Sequence, residues 1–83
     1  MTAKEFNANF NLQLGILAGK PAQDIPDSAR LREDLCMDEL DVVGFIMTLE
    51  YEFNFFIPED DVRDLSTVGD YRNLAQRLVE EQK

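Results

Sequence analysis

Few residues in this chain are equipped for chemistry, and the usual catalytic combinations are missing. There is no histidine and a single cysteine, Cys36. That removes Cys/His zinc sites, Ser–His and Cys–His nucleophile pairs, and histidine general bases. It also removes any intrachain disulfide framework. The Cys36 thiol stands among acids, which disfavour the reactive thiolate, so a packed or loop cysteine is expected rather than a nucleophile. Glu59-Asp60-Asp61 is an acidic run at a helix start. Three consecutive side chains there cannot all converge on one cation, and no EF-hand spacing follows. Complementing the helix dipole accounts for them. With no nucleophile–base pair and no metal constellation, neither an enzyme nor a metal site is expected.

Charge is the other chemical asset. Seventeen acids against eight bases give −9. Residues 1–32 carry +1 and residues 65–83 are neutral, while residues 33–64 hold eleven acids and only Arg63, giving −10. Nucleic acid is a poor partner for such a chain, because phosphate contacts need Lys and Arg. Basic protein surfaces are the better match. The acidic segment reads either as a solvated face or as an electrostatic docking surface.

The elements that must position these residues are helices. Phe6, Phe10, Leu14 and Leu17 recur at four, four and three residues, the stripe of an amphipathic helix. Thr2 with Glu5 fits a capping box at its start, and Gly19 with Pro21 ends it. Leu12 and Ile16 lie off that stripe and suggest burial on more than one side. Residues 18–37, rich in turn formers, read as a long loop pinned to the core by Ile25, Leu31 and Leu35. Asp38 caps a second helix over 39–53, with Leu40, Val43, Phe45, Ile46, Met47, Leu49 and Phe53 as its apolar positions. Gly44 sits mid-helix at a cost of about 1 kcal/mol relative to alanine, which close approach of a neighbour or ligand would justify. Pro58 opens a short third helix over 59–64. Thr67 with Asp70 caps a fourth, to about residue 81, on the stripe Val68, Tyr71, Leu74, Ala75, Leu78 and Val79. The fold class is all-α: a four-helix bundle with a long first loop and a short third helix, one domain over residues 1–83.

The stretch Glu33-Asp34-Leu35-Cys36-Met37-Asp38-Glu39-Leu40-Asp41-Val42-Val43 resembles the E-D-L-G-x-D-S-L-D-x-V signature of acyl carrier proteins. The likeness continues through Met47, Leu49-Glu50, Glu52-Phe53, Ile57-Pro58 and Ser66-Thr67-Val68, without a gap from about Ile25 to Leu74. The resemblance implies a four-helix bundle that carries acyl groups on a 4′-phosphopantetheine arm. The arm is joined through a phosphodiester to the serine of D-S-L, at the start of the second helix. It also implies partner enzymes that read the acidic face of helices two and three with Arg and Lys, and an apolar space between helices for the acyl chain.

The chain departs from the pattern where the carrier chemistry needs a hydroxyl, because Glu39 stands in the serine's place. A carboxylate has no hydroxyl to attack a phosphoryl donor, and an acyl phosphate formed instead would hydrolyse readily. No cofactor is therefore expected, and Glu39 marks the position of the lost attachment site. As the first residue of a helix it also favours the dipole by roughly 0.3–1 kcal/mol. Asp27-Ser28-Ala29 imitates the motif but lacks the following stripe and the Ile-Pro at the family's spacing. Cys36 stands where the family has glycine, and Phe55 and Phe56 replace polar residues, with packing of at least one of them expected.

These readings lead to an acidic binding module that docks on basic surfaces of fatty-acid or polyketide-type enzymes without an arm. The expected docking residues are Asp38, Asp41, Val42, Met47, Glu50, Glu59 and Asp60. The alternative is an acyl carrier in lipid or secondary-metabolite biosynthesis. The longest apolar runs are too short to span a membrane, and the N-terminus lacks the zones of a signal peptide, so a cytoplasmic monomer is expected.

Overall fold

The computed structural model describes residues 2–82. They form four helices, α1 (Ala3–Ala18), α2 (Glu39–Phe53), α3 (Glu59–Val62) and α4 (Val68–Glu81), with one 3₁₀ turn at Ala22–Asp24 inside the first loop. No strand occurs among the described residues; a single antiparallel bridge joins Arg30 to Thr67.

Local chemistry sets the helix ends. Each long helix begins with a reciprocal capping box: Thr2 with Glu5, Asp38 with Asp41, and Thr67 with Asp70. Each box satisfies two backbone N–H groups that a helix start leaves without partners. The Asp70 carboxylate accepts from the backbone N–H groups of both Ser66 and Thr67, which holds its carboxyl below the ordinary range. α1 stops at Gly19 and α2 at Asn54, both left-handed.

The core is aromatic. Phe6 of α1 packs on Phe53 of α2 at 4.9 Å between ring centroids, and Phe10 meets Phe45 edge-on at 5.6 Å. Ile25, Ala29, Leu31 and Met37 bring the long loop into the same core. The loop docks on the start of α4 through three backbone hydrogen bonds: Leu31 N–H to the Ser66 carbonyl, Val68 N–H to that of Ala29, and Gly69 N–H to that of Asp27. A Cβ on Gly69 would stand 3.3 Å from Asp27, so this seam is tight for any other residue. Arg72 of α4 closes the outside. It donates to Asn7 and Asn11 of α1 at 2.8 and 2.7 Å, pairs with Asp27 and covers the Phe10 ring.

Several expectations from the sequence fail, each for a stated reason. Leu17 is exposed, because the α1 stripe turns out of the core after Leu14 and Ala18 takes the last contact. Leu12 and Ile16 are exposed too, so α1 buries one face only. α3 spans four residues, not six, and Pro58 is its N-cap rather than its first helical residue. On α2 the burial follows Phe45, Leu49 and Phe53, with Val42 and Ile46 beside them. Leu40, Val43 and Met47 lie roughly 140–160° around the helix from Phe45 and face outwards.

At Gly44 a Cβ would meet nothing within 4 Å, so no close approach by another part of the chain explains it. Gly44→Ala is expected to stabilise the fold by about 1 kcal/mol and raise the melting temperature by roughly 4–8 °C, because only the backbone entropy changes. Thermal unfolding of the two proteins checks it, and an unchanged or lower midpoint would show that the glycine is needed.

Candidate functional site

The loop entering α2 folds back on itself. Asp34 accepts from the Arg30 backbone N–H at 2.8 Å, and that bond together with the Arg30 side chain holds the Asp34 carboxyl below its usual range. Met37 then donates to the Leu31 carbonyl and is buried. The reversal between them needs a left-handed residue, and Cys36 supplies it with φ +57°. This explains a preference for glycine there, since a β-carbon in that region is strained. Cys36 is a free, exposed loop cysteine, not a packed one.

Asp38 and Asp41 lock the first turn of α2. Asp41 N–H donates to Asp38 Oδ1 at 2.8 Å, and Asp38 N–H donates to Asp41 Oδ2 at 3.2 Å. Glu39 is thereby fixed as the first residue of α2, exposed at the rim of a cavity of about 480 Å³. Leu31, Val42, Ile46, Val62, Leu65 and Tyr71 supply apolar wall, with the half-exposed Val43 at its edge; Arg32, Glu33, Glu59, Arg63 and Ser66 are its polar residues besides Glu39. The cavity thus opens between the long loop, α2, α3 and the start of α4.

The residues expected to dock a partner fall into two groups. Val42 is half-buried on the cavity wall, Met47 is 62% exposed, and Glu59 and Asp60 are exposed at the start of α3, where Asp60 pairs with Arg63 at 2.8 Å. Asp38, Asp41 and Glu50 also carry structural duties, the first two while remaining exposed. Glu50 is half-buried and its Oε2 accepts the Ile57 N–H at 2.9 Å, which holds the α2–α3 turn. The turn that follows the left-handed Asn54 brings the Ile57 amide back onto it. Phe55 packs against Phe53, while Phe56 is 74% exposed. Asp61 pairs with Arg77, and no cluster of three potential metal-ligating side chains occurs among the described residues. Ser28 lies in an exposed turn of the long loop, not at a helix start.

Two features were missed in the sequence. Leu40, Val43, Met47 and Tyr51 form an outer apolar stripe on α2, with Leu40 80% and Tyr51 86% exposed. Their spacing of three, four and four was a visible signal, but it was merged with the core stripe of the same helix. The second is the lining of the cavity: the resemblance implies an apolar space between helices, but not a wall drawn from four separate segments.

Relatives decide the family. An acyl carrier protein of Saccharopolyspora erythraea is 35% identical over 79 residues, covering 95% of this chain and 83% of the relative. The chain belongs to the acyl carrier protein family. An acyl carrier protein of Chlamydia caviae is 46% identical over 52 residues, 63% of this chain and 68% of the relative. The crystal structure of an acyl carrier protein from Thermotoga maritima superposes with a TM-score of 0.78 at 24% identity, covering 96% of this chain and 93% of that one, a likeness of fold. No protein-family model matches the chain. Acyl carrier proteins are carriers rather than catalysts, so membership makes this chain a non-enzyme. No described helix is long and apolar enough to cross a membrane.

Proposed function

We propose that this chain is a docking member of the acyl carrier protein family that works without a covalent phosphopantetheine arm. The observation that carries the reading is Glu39: it opens α2 directly after the capping Asp38, where the family's motif has its serine. Arm attachment requires a hydroxyl oxygen to attack the phosphoryl group of the donor, and Glu39 offers only carboxylate oxygens. The residue at the attachment position does not fit the group. What the chain retains is an acidic α2–α3 surface with an outer apolar stripe, suited to basic surfaces of acyl-processing enzymes. A cytoplasmic, monomeric single domain fits this reading.

The alternative is an acyl carrier of lipid or secondary-metabolite biosynthesis using another attachment point. The cavity beside Glu39 and the relatives' shared name favour it. Intact-mass measurement after incubation with a phosphopantetheinyl transferase and coenzyme A separates the two. The expected result is an unchanged mass for the wild type and a gain of one phosphopantetheine unit for Glu39→Ser. A gain by the wild type would sink the armless reading and direct mapping to Ser28 and Cys36.

A further inference from the structure

The geometry assigns Tyr71 as a specificity-determining residue of the cavity, one that favours an apolar chain bearing an uncharged oxygen, such as a ketone or hydroxyl, over a plain alkyl chain or a free carboxylate. The inference rests on the carrier-family reading for one point only, that acyl-type chains reach this cavity.

Tyr71 is 5% exposed, with its ring set against Phe45 at 6.0 Å. Its side chain forms part of the wall of the 480 Å³ cavity, a volume within the range of small-molecule sites. Among the described residues its hydroxyl makes no hydrogen bond, although buried phenols ordinarily find a partner. Yet no sealed, partnerless side-chain oxygen or nitrogen exists among those residues. The hydroxyl is therefore not sealed off, and Tyr71 is one of the residues that line the cavity. Burial pushes the phenol's pKa up and Asp70 adds to it, so the O–H is intact at neutral pH and free to donate or accept.

The surroundings select an uncharged ligand oxygen. Arg32, also on the cavity wall, is near enough to act on the Tyr71 hydroxyl, opposing its raised pKa. It is the one arginine without an ion pair among the described residues, since Arg30, Arg63, Arg72 and Arg77 all have acids within 4 Å. It shares the cavity lining with Glu33, Glu39 and Glu59, and Arg63 is engaged by Asp60. A ligand carboxylate would enter a rim with more acids than bases. A neutral oxygen meets no such repulsion and gives the Tyr71 hydroxyl the partner it lacks, while Val42, Ile46, Val62 and Leu65 take the chain.

Amide chemical-shift titrations of the unmodified full chain test this with methyl pentyl ketone, hexyl chloride and heptanoate. The ketone is expected to shift the amides of Leu31, Ile46, Val62 and Tyr71 and to bind more tightly than the other two. Tyr71→Phe, which keeps the ring, should weaken the ketone roughly fivefold and leave hexyl chloride unchanged, the loss of one ordinary hydrogen bond. Val62→Phe, which fills the cavity, should abolish the binding of all three. Equal affinity of wild type and Tyr71→Phe for the ketone would overturn the assignment. So would tighter binding of heptanoate, ketone binding that survives Val62→Phe, or no response to any probe. The phosphopantetheinylation result is a separate readout: a mass gain would remove the armless reading and leave the Tyr71 assignment standing, and the reverse holds for a failed titration.

Discussion

Reversing Glu39 and Glu59 to lysine together is expected to slow association with a basic acyl-processing enzyme by roughly tenfold at low salt, with a smaller effect on dissociation. Both residues are exposed on the cavity rim, one opening α2 and the other α3, and neither side chain makes a hydrogen bond or ion pair among the described residues. They are therefore better probes than Asp41 and Glu50, whose carboxylates hold the α2 cap and the Ile57 amide. Reversal at those two positions would damage the fold and confuse the readout. Each new lysine at a helix start costs roughly 0.3–1 kcal/mol against the dipole, which a well-folded domain tolerates. Glu80→Lys with Glu81→Lys is the control. It changes net charge equally but lies at the far end of α4, where Glu81 makes only an exposed pair with Arg77. Association rates at two ionic strengths decide the matter, because steering between exposed charges fades as the Debye length shrinks from about 30 Å at 0.01 M to about 10 Å at 0.1 M. Equal slowing by both pairs would reduce the acidic face to bulk attraction. No slowing by either would leave −9 as a solubility feature and remove the docking surface from the reading.

Phe45→Ala is expected to cost about 3–5 kcal/mol, a large part of the total stability of a domain of this size. Phe45 is fully buried on the inner face of α2, edge-on to Phe10 of α1 and beside Tyr71 of α4. Three helices meet on this one ring, so truncation leaves a void that none can fill alone, and the contacts on every side are lost. Met47→Ala, two residues along the same helix, should change stability by less than about 0.5 kcal/mol because Met47 already faces outwards. Urea unfolding followed by helical circular dichroism measures both. A loss below about 1 kcal/mol for Phe45→Ala would mean that the aromatic core is not where the stability of α2 resides. The same pair of variants separates the two faces of α2: Met47→Ala should weaken partner binding without loosening the fold.

Local signals determined much of this protein from the sequence alone. Thr2, Asp38 and Thr67 each start a helix with side-chain atoms three residues away, so the helix starts were legible without knowing what the helices pack against. The stripe of α4 was equally clear, because its outward positions are polar and only one face can be buried. The family motif placed Glu39 at the head of α2 by order and spacing. The tertiary structure decided what periodicity could not. α2 is apolar on two faces, and only contact with Phe10 and Tyr71 selects Phe45 for the core while Leu40 and Met47 remain in water. Glu50 looked like any surface acid until the chain turned at Asn54 and brought the Ile57 amide to it. Cys36 by its own type gave no sign of its left-handed backbone, and only the family's glycine at that place hinted at it; the conformation accompanies the burial of Met37 just before Asp38 caps the helix. The cavity, with Tyr71 and Arg32 in its wall, joins residues some forty positions apart in the chain. Spacing in the sequence encodes neighbours along one helix, whereas a cavity is the space left between elements, and it exists only once they have packed.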